Sequence, residues 1–188
     1  MTDGHGHTDR HGHTDGHGSG DIACAMAHGD VPGPTGERRL VAVFASPVAL
    51  QLVHLAAHVG YDCVVVDPER GLDGATTVRT AAEARIDDAT DVVVTDHDRP
   101  ELGDVLAEAL LTPARWIGVM GSPRHTAPHV AALAERGVAP EQVARVHRPI
   151  GLDIGSRSPA EIAVATVAGL LADRAGRRGG FYDASGPA

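Results

Sequence analysis

The sequence predicts an α/β protein built on a doubly wound, mainly parallel sheet. From Leu40 onward, short apolar segments alternate with helical ones, the pattern of βαβ units. Glycines and prolines stand at the ends of those segments, where they break regular structure. Residues 40–45 read as a buried strand and 47–59 as a helix, opened by Ser46-Pro47 and closed by Gly60. A second strand follows at 63–67 and a third at 91–95, with a helix at 101–111. Residues 115–120 form a further strand, and a helix then runs from Pro123 or Ala127 to Arg136, stopping at Gly137. A strand at 145–147 and a helix at 159–174 complete the sheet and its cover.

The flanks are different in kind. Residues 1–20 repeat Gly-His-Gly-His and His-Gly-His and hold five of the twelve histidines. They have nothing apolar to bury, so disorder is expected. His5, His7, His11, His13 and His17 are candidate ligands for nickel or zinc, held close together on a flexible backbone. Pro32, Gly33, Pro34 and Gly36 mark a linker. The expected organisation is therefore a tail and linker at 1–37, a single folded domain at 38–175 and a loose end at 176–188.

Composition excludes several classes. The formal net charge of −9 argues against a nucleic-acid phosphate footprint. No apolar run is long enough to span a bilayer, and the start lacks the basic-then-apolar pattern of a signal peptide, so a cytoplasmic protein is expected. The two cysteines, Cys24 and Cys63, make neither a disulfide framework nor a zinc quartet. All sixteen basic residues counted as Lys or Arg are arginine, which removes a Walker lysine, a Schiff-base lysine and a lysine general base.

In an open α/β sheet, ligands bind outside the carboxyl ends of the strands, so the loops there hold the candidates. The first, Ala45-Ser46-Pro47, lacks the Gly-x-Gly-x-x-Gly that a dinucleotide pyrophosphate needs. Asp67, ending the second strand, stands where a ribose-binding acid would, and equally where an acid would start a turn beside Pro68. Thr95-Asp96-His97-Asp98 reads either as a metal or proton-transfer cluster built around His97, or as a solvated loop. Gly121-Ser122-Pro123-Arg124-His125-Thr126 combines a glycine, two hydroxyls and an arginine ahead of a helix, an anion cradle or a simple N-cap.

The most informative stretch is Pro149-Ile150-Gly151-Leu152-Asp153-Ile154-Gly155-Ser156-Arg157-Ser158-Pro159-Ala160-Glu161-Ile162-Ala163. Gly151 and Gly155 are free to take positive φ and turn backbone N–H groups toward one point. Ser158, Pro159 and Glu161 predict a capping box at the next helix, and an ordinary turn into a helix reads the same way. Asp153 is expected to order its own loop, while Gly121, Ser122, Arg124, Gly151, Gly155 and Ser156, with Arg157 as a second cation, form the candidate anion site.

These residues, with Trp116-Ile117-Gly118-Val119-Met120-Gly121-Ser122-Pro123-Arg124, resemble the XdhC/CoxI family. Its pattern is an aromatic-Ile-Gly-x-x-Gly-Ser-x-Arg loop followed by Pro-Ile-Gly-Leu-Asp-Ile-Gly-x-x-Ser/Thr-Pro-x-Glu-Ile-Ala. The loop holding Thr95, His97 and Asp98 resembles the Thr-His-Asp after the family's third strand. The resemblance is strong over 90–175 and weaker over 40–89, and it implies a Rossmann-like fold. It further implies an accessory protein rather than an enzyme. Such a protein binds molybdenum cofactor (molybdopterin), protects it while a cysteine desulfurase supplies its sulfur, and passes it to an apo molybdenum hydroxylase. By that resemblance the cofactor contacts are Gly121, Ser122, Arg124, Gly151, Asp153, Gly155, Ser156, Asp67 and His97.

Two departures stand out. The family usually has an N-terminal domain with cysteine-containing, glycine-rich motifs, here replaced by the His-rich tail, so a separate chain is one source of that domain. It also commonly has Gly-Ala-Gly-His where this chain has Phe44-Ala45-Ser46-Pro47. The alternatives are an NAD(P)-dependent oxidoreductase on the same fold and a metal-handling protein that uses its tail. A homodimer is compatible with either.

Overall fold

The computed structural model describes residues 38–121 and 127–180. The His-rich tail with its five candidate ligands, Cys24, and the loop residues Ser122, Arg124 and Thr126 lie outside the described residues.

Six strands form one sheet: β1 (Arg38–Val43), β2 (Tyr61–Val66), β3 (Thr77–Val78), β4 (Thr90–Val94), β5 (Trp116–Val119) and β6 (Val146–His147). Every pairing is parallel, and the order is β3-β2-β1-β4-β5-β6. The chain winds outward from β1 to one edge, then crosses back to β4 and winds to the other. This doubly wound order puts the reversal between β1 and β4, and hence a crevice at their carboxyl ends. The helices are α1 (Pro47–His58), α2 (Leu102–Leu110), α3 (Pro128–Ala134), α4 (Pro140–Val143) and α5 (Pro159–Arg174).

Parallel strands are covered on both faces, and the residues alternate accordingly. In β1, Leu40 and Ala42 pack into a layer with Leu52 and Ala56 of α1 and Ala163, Val167 and Leu170 of α5. Val41 and Val43 face the other way, into a layer with Leu102, Leu106 and Leu110 of α2 and Leu133 of α3. Burying each such Leu or Val contributes about 1.5–3 kcal/mol. The helix ends follow the predicted chemistry: Ser46 Oγ accepts the Ala49 N–H at 3.0 Å, and Pro47 takes the first turn of α1. Gly60, at φ +87°, turns the chain out of α1.

Three local expectations need correction. The first strand stops at Val43: Phe44 still donates its N–H to Val66 O at 2.8 Å, but its φ of +73° turns the chain off the strand. The helix after β5 begins at Pro128, and its N-cap Ala127 has no side chain to accept a bond. The segments between the predicted elements hold two more, β3 and α4. Strand β3 is held by the Val65 N–H on Thr76 O and the Asp67 N–H on Val78 O, at 2.8 and 3.0 Å.

The amino ends of the strands are tied by a buried ionic cluster. Asp91, fully buried, accepts Arg115 Nε at 2.6 Å, Arg174 Nε at 2.9 Å and the Tyr61 hydroxyl at 3.0 Å. Arg115 also reaches Asp173 at 2.6 Å. The cluster locks β2, β4, β5 and α5 together and lies opposite the candidate ligand edge.

Candidate functional site

The first loop at the carboxyl edge is closed by its own contacts. Asp67, fully buried, accepts the Ala45 N–H at 2.8 Å on one oxygen and the Glu69 and Arg70 N–H groups at 2.9 and 2.8 Å on the other. Arg99 Nη1 stands 3.4 Å from the same carboxylate. Burial pushes this carboxyl up. The donors from Ala45, Arg70 and Glu69 and the Arg99 charge outweigh burial and hold it below the usual carboxylate range. Asp67 is thus a bracket between the β1 and β2 loops, and its oxygens are committed to protein donors.

Thr95 completes the closure. Its hydroxyl lies 3.0 Å from Val43 O and 2.9 Å from Phe44 O, two groups that only accept. Its single proton goes to them, so in the 2.9 Å contact with Ser46 Oγ the serine is the donor. Arg99 then caps the loop: its guanidinium lies 4.9 Å from the Phe44 ring centroid and is paired with Glu101 by two bonds of 3.1 and 3.0 Å. The side chain of Phe44 is fully buried, in a backbone conformation that favours glycine.

The loop after β4 does not gather ligands. His97 is a partly buried neighbour of Asp98 at 3.6 Å, and Asp96 is spent on the Asp98 N–H at 3.0 Å. Among the described residues, no three His, Cys, Asp or Glu side chains converge on a metal position.

The second half of the edge is built on close approaches. Gly118 leaves the space that the Trp116 indole and the Ile150 side chain occupy, since a Cβ there would lie 2.2 Å from the one and 2.7 Å from the other. Trp116 stacks on His147 with centroids 5.1 Å apart and planes 4° from parallel. Gly121 seats a cation: a Cβ at this position would meet Arg148 Nη2 at 2.6 Å. Beside it is His129, 5% exposed, whose Nδ1 has no hydrogen-bond partner among the described residues. Burial first, and the Arg148 charge second, hold this imidazole below its ordinary pKa, so it is neutral at pH 7.

The stretch 151–158 divides into a packed part and an open part. Gly151, at φ +84°, lies against α5, and the Leu152 N–H bonds to Ala165 O at 3.1 Å. Asp153 Oδ1 accepts the Gly155 N–H at 3.4 Å, the loop-ordering role its position implies. Gly155 takes φ +67° with open space where a Cβ would go. Ser158 caps α5 through the Glu161 N–H at 3.3 Å, but the capping box is not reciprocal. Glu161 instead accepts the Ser156 hydroxyl at 2.9 Å.

Of the predicted contacts, the structure places Gly121 in the same half as the 151–158 loop and sets Asp67 and His97 apart at the β2 and β4 loops. Ser122 and Arg124 lie outside the described residues. Sequence reasoning missed Arg148, His129, Phe44 and Arg99. Arg148 directly precedes the Pro149 motif, a signal that was available, whereas nothing in spacing marks His129. Two hollows of about 150 and 310 Å³, one flanked by Arg115 and Arg145 and the other by Arg39 and Asp62, lie toward the amino ends of the strands, not at this edge.

Comparison with known proteins decides the family. The model of the XdhC Rossmann domain matches residues 40–170. The chain belongs to the XdhC Rossmann domain family. The uncharacterized protein YqeB of Escherichia coli is 31% identical to this chain over 158 residues, covering 76% of this chain and 28% of YqeB. A solved structure from Bacillus halodurans, described as a xanthine dehydrogenase, is 26% identical with a TM-score of 0.59. That likeness covers 74% of this chain and 45% of the other. This XdhC-type chain therefore spans less than half the length of either relative.

Proposed function

We propose that this chain serves the maturation of molybdenum hydroxylases, holding molybdopterin and delivering it to an apo-enzyme of the xanthine dehydrogenase type. The observation that carries the reading is the XdhC Rossmann match over 40–170, supported by likeness to a solved protein described as a xanthine dehydrogenase. The first loop does not fit such a ligand, because the Ala45 N–H and the Asp67 carboxylate are committed to each other at 2.8 Å. The other half of the edge fits better. It offers a half-buried cation in Arg148, the buried His129 nitrogen that has no hydrogen-bond partner among the described residues, and the exposed turn at Gly155. These residues would bind and orient the phosphate end, and the cofactor supplies its oxygen- and electron-transfer chemistry to the client enzyme. A cysteine desulfurase and a separate chain with the family's N-terminal domain are the proposed partners, and the His-rich tail is a proposed nickel or zinc binder.

The test is mass spectrometry of the protein purified from its own host. A bound pterin supports the reading. A bound nicotinamide dinucleotide overturns it in favour of an oxidoreductase, and a bare metal overturns it in favour of metal handling.

A further inference from the structure

We propose that Arg148, seated against Gly121 and backed by His129, forms an oxyanion subsite for a phosphate monoester at the carboxyl end of β5. This deepens the proposed function and rests on it only for the identity of the ligand. The geometry supplies the argument. Gly121 follows β5, and the guanidinium occupies the place its side chain would take: a Cβ there would stand 2.6 Å from Nη2, 2.7 Å from Nε and 3.0 Å from Cζ. Any larger residue at 121 would displace the cation, so the glycine is a seat. Arg148 is half-buried and takes part in interactions within the fold. The planar guanidinium fork matches two oxygens of a phosphate.

His129 is the second observation. It is 5% exposed, and its Nδ1 is buried with no hydrogen-bond partner among the described residues. A buried polar atom left this way costs free energy that a binding site recovers when a ligand or its water arrives. Arg148 is close enough for its charge to disfavour the imidazolium, so the two side chains share one electrostatic environment. An anion on Arg148 cancels that repulsion.

This coupling gives a readout that needs neither molybdenum nor a client enzyme. The His129 imidazole of the full chain is followed by NMR against pH, with and without inorganic phosphate. In free protein it titrates below the ordinary histidine value; phosphate moves the titration upward. In Arg148→Gln it starts higher and phosphate no longer moves it, and phosphate binds roughly tenfold or more weakly, as expected for losing a hydrogen bond to a charged group. Arg148→Lys keeps the charge and retains a phosphate response, which guards against a misfolded glutamine variant. A wild-type titration indifferent to saturating phosphate, or an equal response in Arg148→Gln, overturns the subsite. Retention of molybdopterin on gel filtration is measured in parallel. Phosphate coupling without molybdopterin retention leaves the subsite standing and sinks the maturation reading. Retention without coupling does the reverse.

Discussion

Gly151 and Gly169 meet face to face: a Cβ at Gly169 would stand 3.2 Å from the Gly151 α-carbon. The loop that leads into α5 folds back across the helix's own surface at this point. The Leu152 N–H fastens it there, on Ala165 O at 3.1 Å.

Replacing Gly169 by Ala therefore departs from the usual rule. Gly→Ala inside a helix ordinarily stabilises by about 0.5–1 kcal/mol. Here the added methyl presses on a backbone that is already bonded, so the variant should lose about 1 kcal/mol, the low end of overpacking costs. Urea denaturation of the two proteins decides it, and a gain in stability would show that the loop yields.

Asp67→Asn should cost about 2 kcal/mol, the scale for hydrogen bonds to a charged group. The wild-type carboxyl is held below its ordinary range, so its contribution is complete above the unfolded value of about 3.9 and is lost as pH falls through the folded one. The gap between variant and wild type should be flat from pH 5 to 8 and close only below about pH 4. A gap that closes already near neutrality would mean another group is responsible.

Tyr61 should resist ionisation. Burial first, then the Asp91 carboxylate, push its phenol up to about 12, with Arg174 opposing. Its raised value contributes stability below the unfolded value of about 10, lost between there and about 12. Tyrosinate absorbance should show one late step, absent from Tyr61→Phe, and that variant should lose about 1 kcal/mol for one hydrogen bond. Should both tyrosines of the chain titrate together near pH 10, the buried cluster is not as described.

NAD and NADP should bind poorly. The Ala45 N–H, the Ser46 hydroxyl and the Thr95 hydroxyl are already paired with one another's neighbours, and Pro47 has no N–H to offer. Calorimetry on the purified chain should find no micromolar affinity for either. Such affinity would mean that the Phe44 loop reopens.

The architecture was legible because strands covered on both faces read as unbroken apolar runs, as in 92–94, and because Ser46-Pro47 and Ser158-Pro159 carry their own cap chemistry. Strand β3 was not, being two residues long with no pattern to detect. The end of β1 was misplaced by Phe44, an aromatic residue in a conformation that sequence assigns to glycine. The glycines misled in a more useful way. Gly118 leaves room for the Trp116 indole two residues before it and for Ile150, Gly121 for the Arg148 guanidinium, and Gly151 lies on a helix; apart from the indole, only tertiary structure supplies those neighbours. The doubly wound order led to the carboxyl edge, while Arg148, which the sequence reading did not name, comes from the loop after β6 and not from the one before α3.

The stack of Trp116 on His147 equips this protein with an optical gauge. The indole is the chain's one tryptophan, and it leans on a two-residue strand at one margin of the sheet. Its emission therefore responds to β6 as well as to the core layer it packs against, and Arg148 is the next residue along. A ligand that moves the imidazole beneath the indole should change that emission, so occupancy of the edge can be tested by fluorescence in the unlabelled chain.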